Sequence, residues 1–188
     1  PLSGPMASAG QPAYEHLKFA AERINANGGM NGHPVEIVGL DNKLSPQESL
    51  VQLQKAMDNG VDFITQGNGS SVASALIAGI EKHNRRNPGD ERLFLNYAAV
   101  DPVFTNERCS FWHFRFDANS DMKMNALTDY LAGQKEIKKV YLINQDYSHG
   151  RSVSAQARKM LKEKRPDIEV VGNDFHPLAK VKDFTPYI

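Results

Sequence analysis

Cysteine is nearly absent from this sequence: Cys109 stands alone among 188 residues. A single thiol excludes an internal disulfide and a cysteine-based metal cluster. Cys109 is expected as a small buried thiol, with half of a pair if further chain exists, or a free surface thiol, as the alternatives. Excess charge is also missing. Lys plus Arg number 22 and Asp plus Glu number 22, and nothing in that balance suggests a nucleic-acid backbone or an anionic membrane surface as partner. No apolar run approaches the ~18 residues of a membrane-spanning helix. No signal peptide is visible. Because the chain opens on a turn (Pro1-Leu2-Ser3-Gly4-Pro5) that should follow a strand, and closes on Phe184-Thr185-Pro186-Tyr187-Ile188 like the beginning of a helix, both ends read as cut. The missing leader therefore does not assign a cytoplasmic location.

What is present is a real core, with 40% hydrophobic residues, in a length that suits one ordinary domain or two small ones. Ala13, Leu17, Ala20, Ala21 and Ile24 recur at helical spacing, predicting a helix from about Gln11 to Asn27 that ends at Gly28-Gly29. Val35, Ile37 and Val38 predict a strand ending near Asp41. Ser45 as cap, Pro46 in the first turn and Glu48 three residues past the cap predict the next helix, with Leu50, Leu53 and Met57 inward and Gly60 at its end. Val61 to Thr65 reads as a strand. Gly67 to Ser71 is a tight turn into a helix striped by Val72, Leu76 and Ile80. Asn84 to Glu91 is polar and expected exposed. Leu93 to Leu95 is a strand, and Phe111 to Phe116 alternates aromatic and polar side chains. A crossover is expected at Phe114 to Asn119. Beyond it come a helix with Leu127, Tyr130 and Leu131, a buried strand Val140 to Ile143, a helix from about Gly150 to Lys164, and a strand opening at Glu169-Val170-Val171. Strands separated by helices of this length imply α/β architecture, right-handed crossovers and mainly parallel sheets flanked by helices.

In such sheets ligands bind beyond the carboxyl ends of the strands. The loops there are Pro1 to Gly10, Gln66 to Ser71, Asn96 to Asp101 and Asn144 to Gly150. Gly67-Asn68-Gly69-Ser70-Ser71 is the most pointed. Its glycines let a ligand approach the backbone, the free amides of the following helix favour an anion, and two hydroxyls add donors. The bland reading is a capped helix after a glycine turn. A dinucleotide fingerprint would need a third glycine at Val72, and a P-loop would need Gly-Lys-Ser/Thr; neither is present. Asn96 to Asp101 offers small residues that expose backbone groups or merely pack closely. Tyr147 could stack on a ligand and donate a hydrogen bond, or belong to an ordinary surface loop.

Catalysis finds little support. Ser70 lacks a nucleophile-elbow sequence. His33, His83, His113 and His176 lack metal spacing, His16 lies on the polar side of its helix, and His149 is expected to be solvated. Asp41 and Asp101 end apolar segments, where a carboxylate binds a cation or ligand, or accepts turn amides.

Taken with Pro1 to Gly10, Ile24-Asn25-Ala26-Asn27-Gly28-Gly29-Met30-Asn31-Gly32 and Asp146-Tyr147-Ser148-His149-Gly150, the glycine-serine turn makes the chain resemble the type I periplasmic substrate-binding proteins, specifically the leucine/isoleucine/valine-binding family of ABC transporters. The resemblance covers all 188 residues but about the first half of a typical member. It implies a two-lobed fold, incomplete here: residues 1–116 as a first lobe lacking its first strand, and 117–188 as part of a second. It implies a periplasmic, non-enzymatic component without cofactor, metal or nucleic acid. Such a component closes its cleft on a small carboxylate, such as a branched-chain amino acid or an aromatic acid, and hands it to membrane permease subunits. Carried onto this chain, the ligand residues would be Gly69, Ser70, Ser71, Asn96, Ala98, Val100 and Tyr147. Val100 is a departure, standing where amino-acid binders often use threonine. A methyl cannot replace that hydroxyl, and a bond left unmade in a closed cleft costs ~1–3 kcal/mol. A ligand lacking the full amino-acid head, such as an aromatic or aliphatic acid, is therefore open. The alternatives are a ligand-sensing receptor or regulatory module of the same fold and, less favoured by the absent third glycine, a nucleotide-dependent enzyme.

Overall fold

The computed structural model describes residues 1–178 and 180–187. Two parallel sheets organise the chain, one of three strands and one of two. Helix α1 (Ala7–Ala26) begins earlier than the apolar spacing suggests, because a 3₁₀ turn at Gly4–Met6 feeds directly into it. Helix α2 (Pro46–Asp58) starts where its cap predicts: the Ser45 hydroxyl accepts the Glu48 amide at 3.2 Å. Strand β1 (Phe63–Gln66), helix α3 (Ser70–Arg86) and strand β2 (Leu93–Asn96) then form a parallel crossover unit. Strand β3 (His113–Arg115) adds to β2, again in parallel.

The core of this half lies between that sheet and the α2–α3 pair. Leu53, Val72, Ala73, Leu76, Ile80, Phe94, Ala99 and Phe104 form one buried cluster, and Phe94 has no solvent-exposed surface. Asn84 departs from expectation. It belongs to α3 and is buried, its side chain bonding the Arg92 backbone in both directions, at 2.9 and 2.8 Å.

Residues 35–41 also depart. They are not assigned to a strand and join neither sheet. A groove of about 1020 Å³ is lined by 33–40 on one wall, by β1 on another and by Tyr14, Leu17, Leu53 and Ala56 from the flanking helices. A strand needs a neighbour ~4.8 Å away to form its ladder, and the groove stands where that neighbour would be. Asp41 closes this segment as a turn carboxylate. It accepts the Leu2 amide at 2.7 Å, the Lys43 amide at 3.0 Å and the Ser3 hydroxyl. Those bonds, led by the Ser3 hydroxyl, hold its pKa well below the usual carboxylate range.

The chain passes to the second sheet through residues 116–119. Helix α4 (Ser120–Gly133) packs on α5 (Ser148–Lys164), and strands β4 (Lys139–Gln145) and β5 (Glu169–His176) pair in parallel. Arg165, buried at the end of α5, donates to the carbonyls of Leu131, Gln134 and Ile137 and pairs with Asp167, fixing the α4–β4 turn. The β4 sequence reads as buried, yet Tyr141 and Ile143 are exposed. Helix α5 covers one face of this sheet, and Tyr141, Ile143 and Val171 are exposed. Cys109, expected inside, is exposed, because it falls in the turn after Thr105 rather than in an element. At the carboxyl end, residues 185–187 form a 3₁₀ turn; Ile188, part of the expected helix start, lies outside the described residues.

Candidate functional site

Strand β1 delivers the chain to Gly67 and Gly69, and each glycine has a distinct reason to be there. Gly69 adopts φ +90° as the residue before α3, a conformation that side-chain-bearing residues rarely take. Gly67 lies against the next loop: a Cβ there would stand 2.4 Å from the Tyr97 ring and 2.8 Å from the Ala98 amide nitrogen. The turn at 67–71 and the loop at 96–100 are thus in direct contact at the carboxyl ends of β1 and β2.

No side chain caps α3, and its first turn carries no acidic residue. The amides of Ser70, Ser71 and Val72 precede the first possible intrahelical acceptor, and the positive end of the helix dipole is not neutralised by a local carboxylate. The Ser71 side chain is exposed, whereas Ser70 is buried. Just below the turn, the Gln66 amide nitrogen donates to the Asn68 carbonyl, while Gln66 Oε1 and Asn68 Nδ2 are buried and have no partner among the described residues.

In the second loop the structure redistributes the expected roles. Asn96 is completely buried. Its Oδ1 accepts the amides of Ala98 and Ala99 at 3.2 and 2.7 Å; its Nδ2 donates to the Ala99 carbonyl at 2.7 Å and faces His113 Nε2 at 3.1 Å. The amide group is committed to shaping the loop, so Asn96 acts on any ligand through backbone position. His113 lies between Phe94 and Phe104. Burial, then the nearby Arg115 charge, lower its pKa and favour the neutral ring. Ala98 is half-buried and Val100 buried. Tyr97, which sequence reasoning passed over, packs on Gly67, and burial raises its hydroxyl pKa.

The third loop belongs to the other sheet. Tyr147 is the extended residue immediately before α5; it is half-buried, and burial raises its hydroxyl pKa. His149, expected in solvent, is instead partly enclosed 5.8 Å from the Tyr147 ring, with a buried Nδ1 that has no partner among the described residues. Desolvation, then Lys123, lower its pKa against the opposing pull of Asp101. Asp101 from the first half and Lys123 from the second both act on its charge, a proximity that the loop's polar sequence does not reveal.

Gly69, Ser70, Ser71, Ala98 and Val100 therefore gather at the carboxyl ends of β1 and β2, Asn96 turns inward beneath them, and Tyr147 stands at the start of a helix in the second half. The two halves meet: α3 touches α5, and the Ser120 amide donates to the Val100 carbonyl at 2.9 Å. Asp101 is a loop-former, its side chain accepting the Val103 amide at 3.2 Å. Such a surface offers donors, small residues and an aromatic. This is the equipment of an α/β binding protein.

Comparison with known proteins gives that class a family. The profile described as "Periplasmic binding protein" matches residues 1–188, and this chain belongs to that family. It is a family of binding proteins rather than enzymes, and the periplasmic setting expected from the resemblance stands with it. The chain is 32% identical over 188 residues to Leu/Ile/Val-binding protein homolog 4 of Brucella abortus, covering 100% of this chain and 45% of that protein. It superposes with TM-score 0.84 and 33% identity on the closed conformation of a leucine-, isoleucine-, valine-, threonine- and alanine-binding protein from Brucella ovis, over 99% of this chain and 47% of that one. A solute-binding protein from Rhodopseudomonas palustris, solved with 3,4-dihydroxybenzoic acid, shares the fold at TM-score 0.82 and 22% identity, over 100% of this chain and 48% of that one. The chain thus spans about half the length of the relatives it matches.

Proposed function

We propose that this chain forms the first lobe and part of the second of an extracytoplasmic solute-binding protein. In that reading residues 1–116 and 117–188 are the two lobes, and the protein closes on a small carboxylate and delivers it to the permease subunits of an ABC transporter. The observation that carries the reading is the uncapped, acid-free amino terminus of α3 in contact with the Tyr97–Val100 loop. Backbone donors at a helix start, held by a rigid turn, suit a carboxylate without needing a basic side chain. Ser71 adds an accessible hydroxyl, Ala98 and Val100 supply a close backbone surface, and Tyr147 covers the ligand from the second lobe. Binding energy shifts the lobes toward the closed state, and no bond of the solute is broken.

Branched-chain amino acids are the first ligands to test, as the named relatives at about one-third identity suggest. Val100 argues for including acids without an ammonium group, since its side chain offers no hydrogen bond. The experiment is a thermal-shift and calorimetric screen of the full-length polypeptide against leucine, isoleucine, valine, alanine, benzoate and aliphatic monocarboxylates. At least one acid should raise the melting temperature and bind with simple saturation, and be recovered chemically unchanged. No binding across the panel, or turnover of the bound compound, contradicts the proposal.

A further inference from the structure

We infer that Ser120 is a positioning residue that registers the Asn96–Asp101 loop against the helix carrying Tyr147, and so sets the geometry of the closed cleft. The inference rests on the proposed binding function and deepens it. Ser120 is the first residue of α4, reached directly from the 116–119 connection. Asn119 caps that helix, its Oδ1 accepting the Met122 amide at 2.9 Å. The Ser120 amide is one of the helix-start donors that have no acceptor within their own helix. It is spent on the Val100 carbonyl at 2.9 Å. The side chain of the same residue works in the other direction: Ser120 Oγ lies 2.8 Å from Ser152 Oγ on α5. Two consecutive hydrogen bonds therefore run from Val100, in the second ligand loop, to the first turns of α5.

The position of Ser152 gives this connection its effect. Tyr147 precedes α5, and its carbonyl accepts the Arg151 amide at 3.1 Å, so Tyr147 is built into the turn that Ser152 follows. Rotation or sliding of α5 relative to α4 moves Tyr147 with respect to Val100, and the Ser120–Ser152 bond opposes both. Ser120 has no solvent-exposed surface, so water does not readily replace a partner lost from its hydroxyl, while Ser152 is half-buried and its hydroxyl, freed by Ser120→Ala, no longer ties α5 to α4. Serine is well suited to the place: its side chain is short enough for two helices to approach, and either hydroxyl can be the donor.

The test uses the full-length polypeptide with Ser120→Ala, Ser152→Ala and Tyr147→Ala, alone and combined, and L-leucine and benzoate as probes. Ser120→Ala should weaken the bound probe about three- to tenfold, and Ser152→Ala should do the same with no further loss in the double variant. In the Tyr147→Ala background Ser120→Ala should cost little, because the residue it positions is gone. A loss of the same size in both backgrounds, or a lower melting temperature with unchanged affinity, overturns the inference and leaves Ser120 a packing residue. Amide hydrogen exchange on the ligand-free protein gives a second readout that does not need a probe. Ser120→Ala should speed exchange at 147–152 about tenfold, and exchange indistinguishable from the parent counts against the inference. If neither probe binds the parent, the acid of the wider panel that does bind replaces them; if none of the panel binds, it is the binding proposal that fails, and the exchange result still decides the role of Ser120.

Discussion

Asn96→Asp replaces one buried atom and leaves the shape of the side chain unchanged, so its consequences follow from the hydrogen bonds and the buried charge it adds. At present Oδ1 accepts from the Ala98 and Ala99 amides, and those bonds survive the change. Nδ2 is the group lost. It donates to the Ala99 carbonyl at 2.7 Å and faces His113 Nε2 at 3.1 Å. An oxygen there confronts the Ala99 carbonyl, and also His113 Nε2 unless the ring moves its proton to that nitrogen from Nδ1, which has no partner among the described residues. With each unmatched buried acceptor costing ~1–3 kcal/mol, and one or two left unmatched according to the His113 tautomer, the variant should be about 1–6 kcal/mol less stable at pH 8, against an ordinary domain's total of about 5–15 kcal/mol. Acid reverses the trend. In the parent, His113 has a folded pKa below its unfolded value of about 6.5. The unfolded chain then binds more protons, and the His113 contribution falls as pH drops through that window. In the variant the imidazolium can donate to the new carboxylate, so the folded state takes up the proton more readily, and stability should recover between about pH 8 and 6. Urea denaturation at a series of pH values measures both slopes. An Asn96→Asp protein as stable as the parent at pH 8, or one whose stability falls with the parent's on acidification, would refute the assigned amide orientation and the role of His113.

The other expectations divide between stability and binding. Ser71→Asp adds a carboxylate to the start of α3 and should stabilise the fold by about 0.3–1 kcal/mol, while weakening acid ligands at least tenfold; melting curves and calorimetry on one preparation show whether the two effects have opposite signs. Gly67→Ala forces a methyl into the Tyr97 ring and the Ala98 nitrogen and should cost about 1–3 kcal/mol, with ligand affinity falling as the loops separate; unchanged melting and affinity would deny that contact. Phe94→Ala, at the centre of the core, should cost about 3–5 kcal/mol by denaturant unfolding. The Asp41 carboxylate has a folded pKa below its unfolded value, so its contribution is present above about pH 4 and fades as pH falls further. Asp41→Asn should therefore flatten the acid limb of the stability profile.

Local chemistry was the legible part of this fold. Ser45-Pro46-Glu48 announces α2 because a helix cap is written in four adjacent residues, and Gly69 announces the start of α3 for a similar reason. The stretch 35–41 has equally good strand residues, yet a strand exists only with a hydrogen-bonded neighbour, and pairing is a property of the assembled sheet. The exposure of Tyr141 and Ile143 has the same origin: the sequence specifies an apolar strand but not what covers its second face. In the candidate site, the glycine-serine turn was readable from its own composition, whereas the inward amide of Asn96 depends on His113, 17 positions away. Sequence spacing carries no information about that pairing. His149 departs from the solvated position its polar loop suggests, and the charges that act on it, Lys123 and Asp101, lie far away in sequence. Ser120 was invisible for a comparable reason, since its two partners lie at Val100 and Ser152.

The central claim is that the open amides at the start of α3 hold the carboxylate of a small acid. Its most direct measurement is amide chemical-shift mapping on isotopically labelled full-length protein, with the best-binding acid of the panel and its primary amide compared at equal concentration. Ser70, Ser71 and Val72 should shift strongly with the acid and stay in place with the amide. Equal responses to both compounds, or saturation by the acid while these three resonances stay in place, would contradict it.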